Sequence, residues 1–130
     1  MTTEVADLMG LAQQLSAGSS ECEWRAGASR AYYAAYHKAL GFADSYLPKN
    51  HENAGVHEQL TKRLSKAGSK GKALAYVLID LKKVRTHADY HLITPFTQHD
   101  ATDLVANCVA FMPRVDAFRA HQESSQAATS

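Results

Sequence analysis

The apolar residues of this chain recur at intervals of three and four along most of its length. That spacing places them on one face of an α-helix, whereas a half-buried strand would alternate apolar and polar residues. No segment shows such alternation, and 130 residues are enough for one domain with one core. The sequence therefore predicts an all-α fold, a four- to five-helix up-and-down bundle.

Capping and breaking residues indicate where the first two helices begin and end. The first helix is predicted over residues 3–17. Ser19 or Ser20 then caps a long second helix, since serine accepts a hydrogen bond from the free N–H groups of a first turn. This helix is expected to run to about Tyr46, just before Pro48.

A short third helix and a long fourth helix are predicted next. The third is marked by apolar residues at helical spacing, namely Val56, Leu60 and Leu64. Gly68, Ser69 and Gly71 predict a break, so the fourth helix is expected to begin near Lys72. It is apolar on most of its surface, through Leu74, Ala75, Val77, Leu78, Ile79, Leu81, Val84 and Ala88. Such a helix is expected to be central, buried by neighbours or by a second copy of the chain.

The last helix and the end of the chain complete the domain. Thr97 or Asp100 is predicted to cap the fifth helix, and Pro113 to kink or interrupt it. Residues 1–121 are therefore predicted to form a single helical domain. Residues 122–130, rich in Ser, Ala and Gln, are predicted to be a flexible tail.

Composition favours an ordinary globular protein, with 45% hydrophobic and 21% charged residues. Cys22 and Cys108 match no metal or redox spacing and are expected to be reduced, buried or half-buried thiols. The first residues lack the pattern of a signal peptide, and no run reaches membrane-spanning length. We therefore expect a cytoplasmic location and no membrane partner.

Positive charge is concentrated in one part of the chain. From Leu60 to Arg85 there are eight basic residues and one acid, a local charge of +7, although the whole chain carries only +1. A local field of this kind attracts polyanions. The alternative is a solvated helical face with a flexible turn.

The segment Arg85-Thr86-His87-Ala88-Asp89-Tyr90-His91 near the end of the fourth helix carries the clearest chemical signal. Arginine is a permanent cation whose geometry suits phosphate. Histidine is the side chain most able to transfer a proton near neutral pH. A cation and a proton shuttle together are what cleavage of an RNA phosphodiester requires.

Three segments together resemble the HEPN superfamily of helical domains. They are Ser29-Arg30-Ala31-Tyr32-Tyr33-Ala34-Ala35-Tyr36-His37, the segment from Arg85 to His91, and Pro95-Phe96-Thr97 leading into Ala106, Val109 and Phe111. The match covers roughly Ser20 to Met112. The resemblance implies a small, commonly dimeric bundle, and many members are RNases that need no metal. Their signature is an arginine followed, after four to six residues, by a histidine, and five residues separate Arg85 from His91.

By this resemblance Arg85 and His91 are the catalytic pair. His91 would act as general acid or base, and Arg85 would hold the scissile phosphate. The products would be a 2′,3′-cyclic phosphate and a free 5′-hydroxyl. Six helical residues turn a side chain to roughly 120° from its start and about 9 Å further along. The helix must therefore break near Tyr90, or a second subunit must contribute, so dimerisation belongs to the hypothesis.

Each of these two residues also has a structural interpretation. His91 could interact with the last carbonyls of its helix. Arg85 could form an ion pair with Asp89, one turn further on. Asp89 and Tyr90 are expected to give structural support to Arg85.

Further residues are predicted to bind RNA or a nucleotide: Arg30, Tyr33, His37, Lys82 and His87. Arg30, Tyr33 and His37 share one helical face, where a tyrosine can stack on a base, although core packing is the alternative. His87 and His91 have a spacing that can bind zinc, but no further ligand completes the site. We therefore expect no metal and no cofactor.

The sequence thus predicts a metal-independent, dimeric endoribonuclease with a composite site at the dimer interface. It would be a toxin or defence effector that acts on RNA, restrained by an antitoxin such as a nucleotidyltransferase. Thr86 follows the arginine where the family more often has Asn, Asp or His. The alternative is therefore a non-catalytic HEPN module that binds a partner protein or a nucleotide. A plain helical dimerisation domain is the third possibility.

Overall fold

A computed structural model describes residues 2–50 and 53–129. These residues form five helices: α1 Val5–Ser16, α2 Glu21–Tyr46, α3 Val56–Ser65, α4 Gly68–Tyr90 and α5 Gln98–Thr129. The described ranges contain no strand. The all-α bundle predicted from the helical periodicity is confirmed.

The central helix is α2, which packs against each of the other four helices. Its buried face is rich in alanine, and small side chains let neighbouring helices approach closely; these residues are Ala28, Ala31, Ala34, Ala35, Ala39 and Ala43. Within one chain, α2 and not α4 is therefore the central helix, and burial of α4 by a second copy of the chain stays a prediction. On α4, Tyr76, Ile79 and Val84 are exposed, because the chain covers only one of its faces.

Capping residues act much as the sequence indicates. The Ser20 hydroxyl accepts a hydrogen bond from the Glu23 N–H at 3.2 Å and so caps α2. At the start of α5, Thr97 and Asp100 bond reciprocally: the Thr97 N–H donates to the Asp100 carboxylate at 2.8 Å, and the Asp100 N–H donates to the Thr97 hydroxyl at 3.0 Å. Both predicted residues therefore take part in one capping box.

The start of α4 differs from the prediction. The helix begins at Gly68, whose φ of +85° supplies the turn after α3, and not near Lys72. Gly71 lies inside α4, where a Cβ would be only 2.2 Å from the Leu64 carbonyl oxygen. Its role is therefore to let α4 lie against the end of α3, and not to break the helix.

This close approach makes Gly71 sensitive to substitution. Gly71→Ala is expected to lower the free energy of unfolding by about 1–3 kcal/mol, because backbone would have to shift. Gly41→Ala is the control, since a Cβ there meets nothing within 4 Å. That change should raise stability by roughly 0.5–1 kcal/mol through helix propensity. Urea denaturation followed by circular dichroism measures both, and a stabilised Gly71→Ala would contradict the packing.

The C-terminal helix is longer than predicted. It continues through Pro113 without interruption, and residues from Gln122 onward, predicted as a flexible tail, remain helical to Thr129. The Tyr46 hydroxyl donates a hydrogen bond to Glu123 at 2.5 Å, which ties this part of α5 to the end of α2. Of the two cysteines, both free, Cys108 is buried, but Cys22 is exposed, contrary to expectation.

Candidate functional site

Three arginines are buried in the bundle: Arg25, Arg63 and Arg85. Removing a cation from water is costly unless hydrogen-bond acceptors or opposite charges compensate it. The number of acceptors around each guanidinium therefore distinguishes an arginine that stabilises the fold from one that is able to bind a ligand.

Arg25 stabilises the C-terminal end of α4. Its guanidinium donates to the carbonyl oxygens of His87 at 3.2 Å, Ala88 at 2.9 Å and Thr94 at 2.5 Å. It also lies 3.6 Å from the Glu21 carboxylate. Carbonyls in the last turn of a helix lack helical partners, so Arg25 supplies donors that they need.

Arg63 does the same at the end of α2. It donates to the carbonyl oxygens of Ala43 at 2.8 Å, Leu47 at 3.3 Å and Pro48 at 3.1 Å. Its other nitrogen bonds the Asp44 carboxylate at 2.8 Å. Arg25 and Arg63 are therefore both compensated by several acceptors.

Arg85 is different because, among residues 2–50 and 53–129, its guanidinium makes one hydrogen bond, to the Asp89 carboxylate at 3.3 Å. Its Nε is buried without a partner. The guanidinium lies 5.3 Å from the Tyr32 ring centre, 5.5 Å from that of Tyr33 and 5.9 Å from that of Tyr90. The face of an aromatic ring attracts a cation but offers no oxygen or nitrogen atom that accepts its N–H groups. Several N–H groups of the Arg85 guanidinium are therefore without an acceptor among the described residues.

Other predicted residues gather around Arg85 between α2 and α4. The Asp89 carboxylate accepts a second hydrogen bond from the Ser29 hydroxyl at 3.2 Å, and Arg30 donates to the same hydroxyl at 3.4 Å. The Arg30 guanidinium lies 5.1 Å from the Tyr33 ring centre. We call Arg30, Tyr32, Tyr33, Arg85 and Tyr90 the arginine–tyrosine cluster.

Two further predicted residues lie near the cluster. The exposed His37 ring lies 6.5 Å from that of Tyr33. Lys82 is half-buried on α4, one turn before Arg85. The predicted ion pair between Arg85 and Asp89 is present, and Asp89 links α4 to α2 through Ser29.

His91 lies apart from this cluster. The helix ends at Tyr90, which is one of the two possibilities predicted from the spacing, and His91 is the C-terminal cap residue. Its ring stacks on that of His87 at 5.4 Å, and the His87 ring lies 5.8 Å from that of Phe96. His87 lines a cleft of about 410 Å³ between α4 and α5. Among the described residues, no hydrogen bond, ion pair or ring contact joins Arg85 to His91, so one chain does not bring the two predicted catalytic residues together.

The imidazole that does adjoin the cluster belongs to His57 in α3, to which sequence reasoning gave no role. Its Nδ1 lies 2.8 Å from the Tyr32 hydroxyl. Burial lowers the pKa of His57, and the positive charges of Lys82 and Arg85 lower it further. Burial also raises the pKa of Tyr32, which therefore stays a neutral hydroxyl. No local spacing marks His57, because only the packing of α3 against α2 and α4 places it here.

The described ranges show neither a metal centre nor a membrane-crossing helix. Within residues 2–50 and 53–129, no three His, Cys, Asp or Glu side chains converge as a metal ion would need. In the same ranges no helix combines the length and the apolar character needed to cross a membrane. No family model, curated protein or solved structure matches the chain.

Proposed function

We propose that this chain is a metal-independent endoribonuclease of the HEPN type, with Arg85 as its phosphate-binding cation. One observation carries the proposal: the Arg85 guanidinium is buried, makes a single hydrogen bond and keeps its Nε unpaired. Buried polar groups are almost always satisfied, so an unpaired one calls for an explanation. Arg119 Nε is unpaired in the same way, and Arg85 differs from it by belonging to the Arg85–His91 motif and lying among several tyrosine rings. A phosphate accepts parallel hydrogen bonds from an arginine, and Asp89 or a tyrosine ring must move aside for it to reach this buried guanidinium.

The surroundings of Arg85 favour RNA over a small nucleotide. Tyr90 is 71% exposed, and Arg30 and Tyr33 are half-buried beside it. The cavities of about 640 and 410 Å³ lie elsewhere on the molecule. An open surface of aromatic rings and cations suits a polymer whose unpaired bases stack on tyrosine while phosphates contact arginine.

In the proposed mechanism a second copy of the chain completes the site. Arg85 binds the scissile phosphate and stabilises the negative charge that develops on it. His91 of the second copy transfers a proton, since His91 of the same chain stacks on His87 and makes no described contact with Arg85. The exposed Tyr76 and Ile79 on α4 provide an apolar surface for this second copy to cover. We propose that the enzyme acts in the cytoplasm as a toxin or defence effector, with an antitoxin such as a nucleotidyltransferase as its partner.

One observation favours the non-catalytic alternative. Arg85 is held by Asp89 and lies among three tyrosine rings, an arrangement that also stabilises α4 against α2. In that case the cluster would bind RNA, a nucleotide or a partner protein without cleaving anything.

Cleavage of labelled RNA in EDTA tests the proposal. Wild type is expected to cleave and to leave 2′,3′-cyclic phosphate ends, and His91→Ala is expected to cleave about 10²–10⁴-fold more slowly. His99→Ala, which removes an exposed imidazole on α5, is the control and should retain full activity. RNA that is bound but left intact by wild type would support the non-catalytic module. Activity that requires a metal would contradict the mechanism.

A further inference from the structure

We propose that His57 is a second catalytic residue, which takes the proton from the attacking ribose hydroxyl at the Arg85 site. This inference rests on the proposed function. Cleavage of RNA through its 2′-hydroxyl needs two proton transfers, one from the attacking oxygen and one to the leaving 5′-oxygen. Of the two histidines in the motif around Arg85, the resemblance assigns a proton transfer only to His91, while His87 lines the cleft between α4 and α5.

The geometry places His57 and Arg85 on the same tyrosine. The Tyr32 ring contacts the Arg85 guanidinium at 5.3 Å, and the Tyr32 hydroxyl lies 2.8 Å from His57 Nδ1. The ring of His57 is further held by those of Tyr36 at 4.7 Å and Tyr33 at 5.9 Å. Such packing fixes the orientation of an imidazole, as general acid–base catalysis requires. His57 is half-buried, and its Nε2 has no hydrogen bond within the described part of the chain.

The charges around His57 favour its neutral form. The groups around it are the Tyr32 hydroxyl and the rings of Tyr33 and Tyr36 from α2, and the cations Lys82 and Arg85 from α4. Desolvation is the largest cause of the lowered pKa of His57, and the charges of Lys82 and Arg85 lower that pKa further. A neutral imidazole at pH 7 is ready to accept a proton, which suits a base and not an acid.

The proposed step transfers two protons and exchanges one phosphorus–oxygen bond for another. The step requires the His57 tautomer that carries its proton on Nδ1 and donates it to the Tyr32 hydroxyl oxygen at 2.8 Å, which leaves the lone pair on Nε2. That lone pair takes the proton of the 2′-hydroxyl, and the 2′-oxygen bonds to phosphorus. The bond from phosphorus to the 5′-oxygen breaks, and the leaving oxygen takes a proton from the His91 imidazolium of the second copy. The products are a 2′,3′-cyclic phosphate and a 5′-hydroxyl.

The pH dependence of His57→Asn cleavage tests this role. Asparagine retains a group that can bond the Tyr32 hydroxyl but cannot titrate near neutrality. Wild type is expected to show a bell-shaped rate profile, whose acidic side reports the base. His57→Asn should cleave about 10²–10⁴-fold more slowly, and its residual rate should no longer fall at low pH. His99→Asn should keep both sides of the profile.

The outcomes separate this inference from the proposed function. If His57→Asn keeps the wild-type rate and profile while His91→Ala is inactive, the role of His57 is refuted and the nuclease stands. A slower His57→Asn whose profile keeps its acidic side would show a structural role only and would also refute it. If wild type cleaves no RNA, both proposals fall.

Discussion

Arg25→Met is expected to lower the free energy of unfolding by roughly 2–4 kcal/mol, because a buried carbonyl left without its donor costs about 1–3 kcal/mol. The change removes three hydrogen bonds to the carbonyls of His87, Ala88 and Thr94. Methionine fills a similar volume but donates nothing, so these carbonyls lose their partner inside the bundle. Urea denaturation followed by circular dichroism gives the size of the loss.

Arg114→Met is the matched control for this measurement. Arg114 is an exposed arginine of α5, and its loss is expected to change stability by less than about 0.5 kcal/mol. Loss of Arg25 should also loosen the end of α4 and the residues that follow it, including His91. If Arg25→Met lowers the free energy of unfolding by less than about 1 kcal/mol, water must reach the three carbonyls and replace the arginine as their donor.

Features determined by neighbouring residues were predictable from the sequence. The Ser20 cap, the end of α2 near Tyr46 and the Thr97–Asp100 capping box each depend on side chains within four residues. The start of α4 was missed because two glycines close together can serve different purposes. Gly68 supplies a positive φ, whereas Gly71 permits close packing of α3, which no local pattern reveals.

The buried arginines illustrate a different limit. Arg25 lies three and four residues before Ala28 and Ser29, on the buried stripe of α2, so its position was visible in the periodicity. Its charge nevertheless suggests solvent, and its acceptors come from residues more than 60 positions away. Assignment of a buried arginine to a helix end therefore requires the tertiary structure.

The candidate site was predicted in part for the same reason. The spacing of Arg30 and Tyr33 places them on one face of α2, and the spacing of Arg85 and Asp89 predicts their ion pair, both of which are local relationships. Local spacing could not show that the His91 ring would stack on His87 without contacting Arg85. Nor could it place His57 of α3 beside Tyr32.

Arg85→Met is expected to reduce RNA cleavage strongly while leaving the free energy of unfolding nearly unchanged. The free energy of unfolding should stay within about 1 kcal/mol of wild type, because replacing an incompletely paired buried charge with an apolar group of similar size is often neutral or stabilising. Cleavage should fall about 10²–10³-fold, since the group that stabilises the transition-state charge is gone. A loss of stability comparable with that of Arg25→Met would instead make Arg85 a structural arginine. The same two measurements, denaturation and RNA cleavage, decide between these results.

Mixed dimers extend this prediction to the composite site. When Arg85→Met and His91→Ala chains are unfolded and refolded together, random pairing makes half of the dimers mixed. In a mixed dimer the intact Arg85 of one copy meets the intact His91 of the other, so one of two sites is complete. Activity should therefore recover to roughly a quarter of wild type, although neither variant alone cleaves well. If the mixture stays as inactive as its components, Arg85 and His91 do not act across an interface. That outcome would leave His57, the imidazole nearest Arg85 within one chain, as the residue to examine for proton transfer.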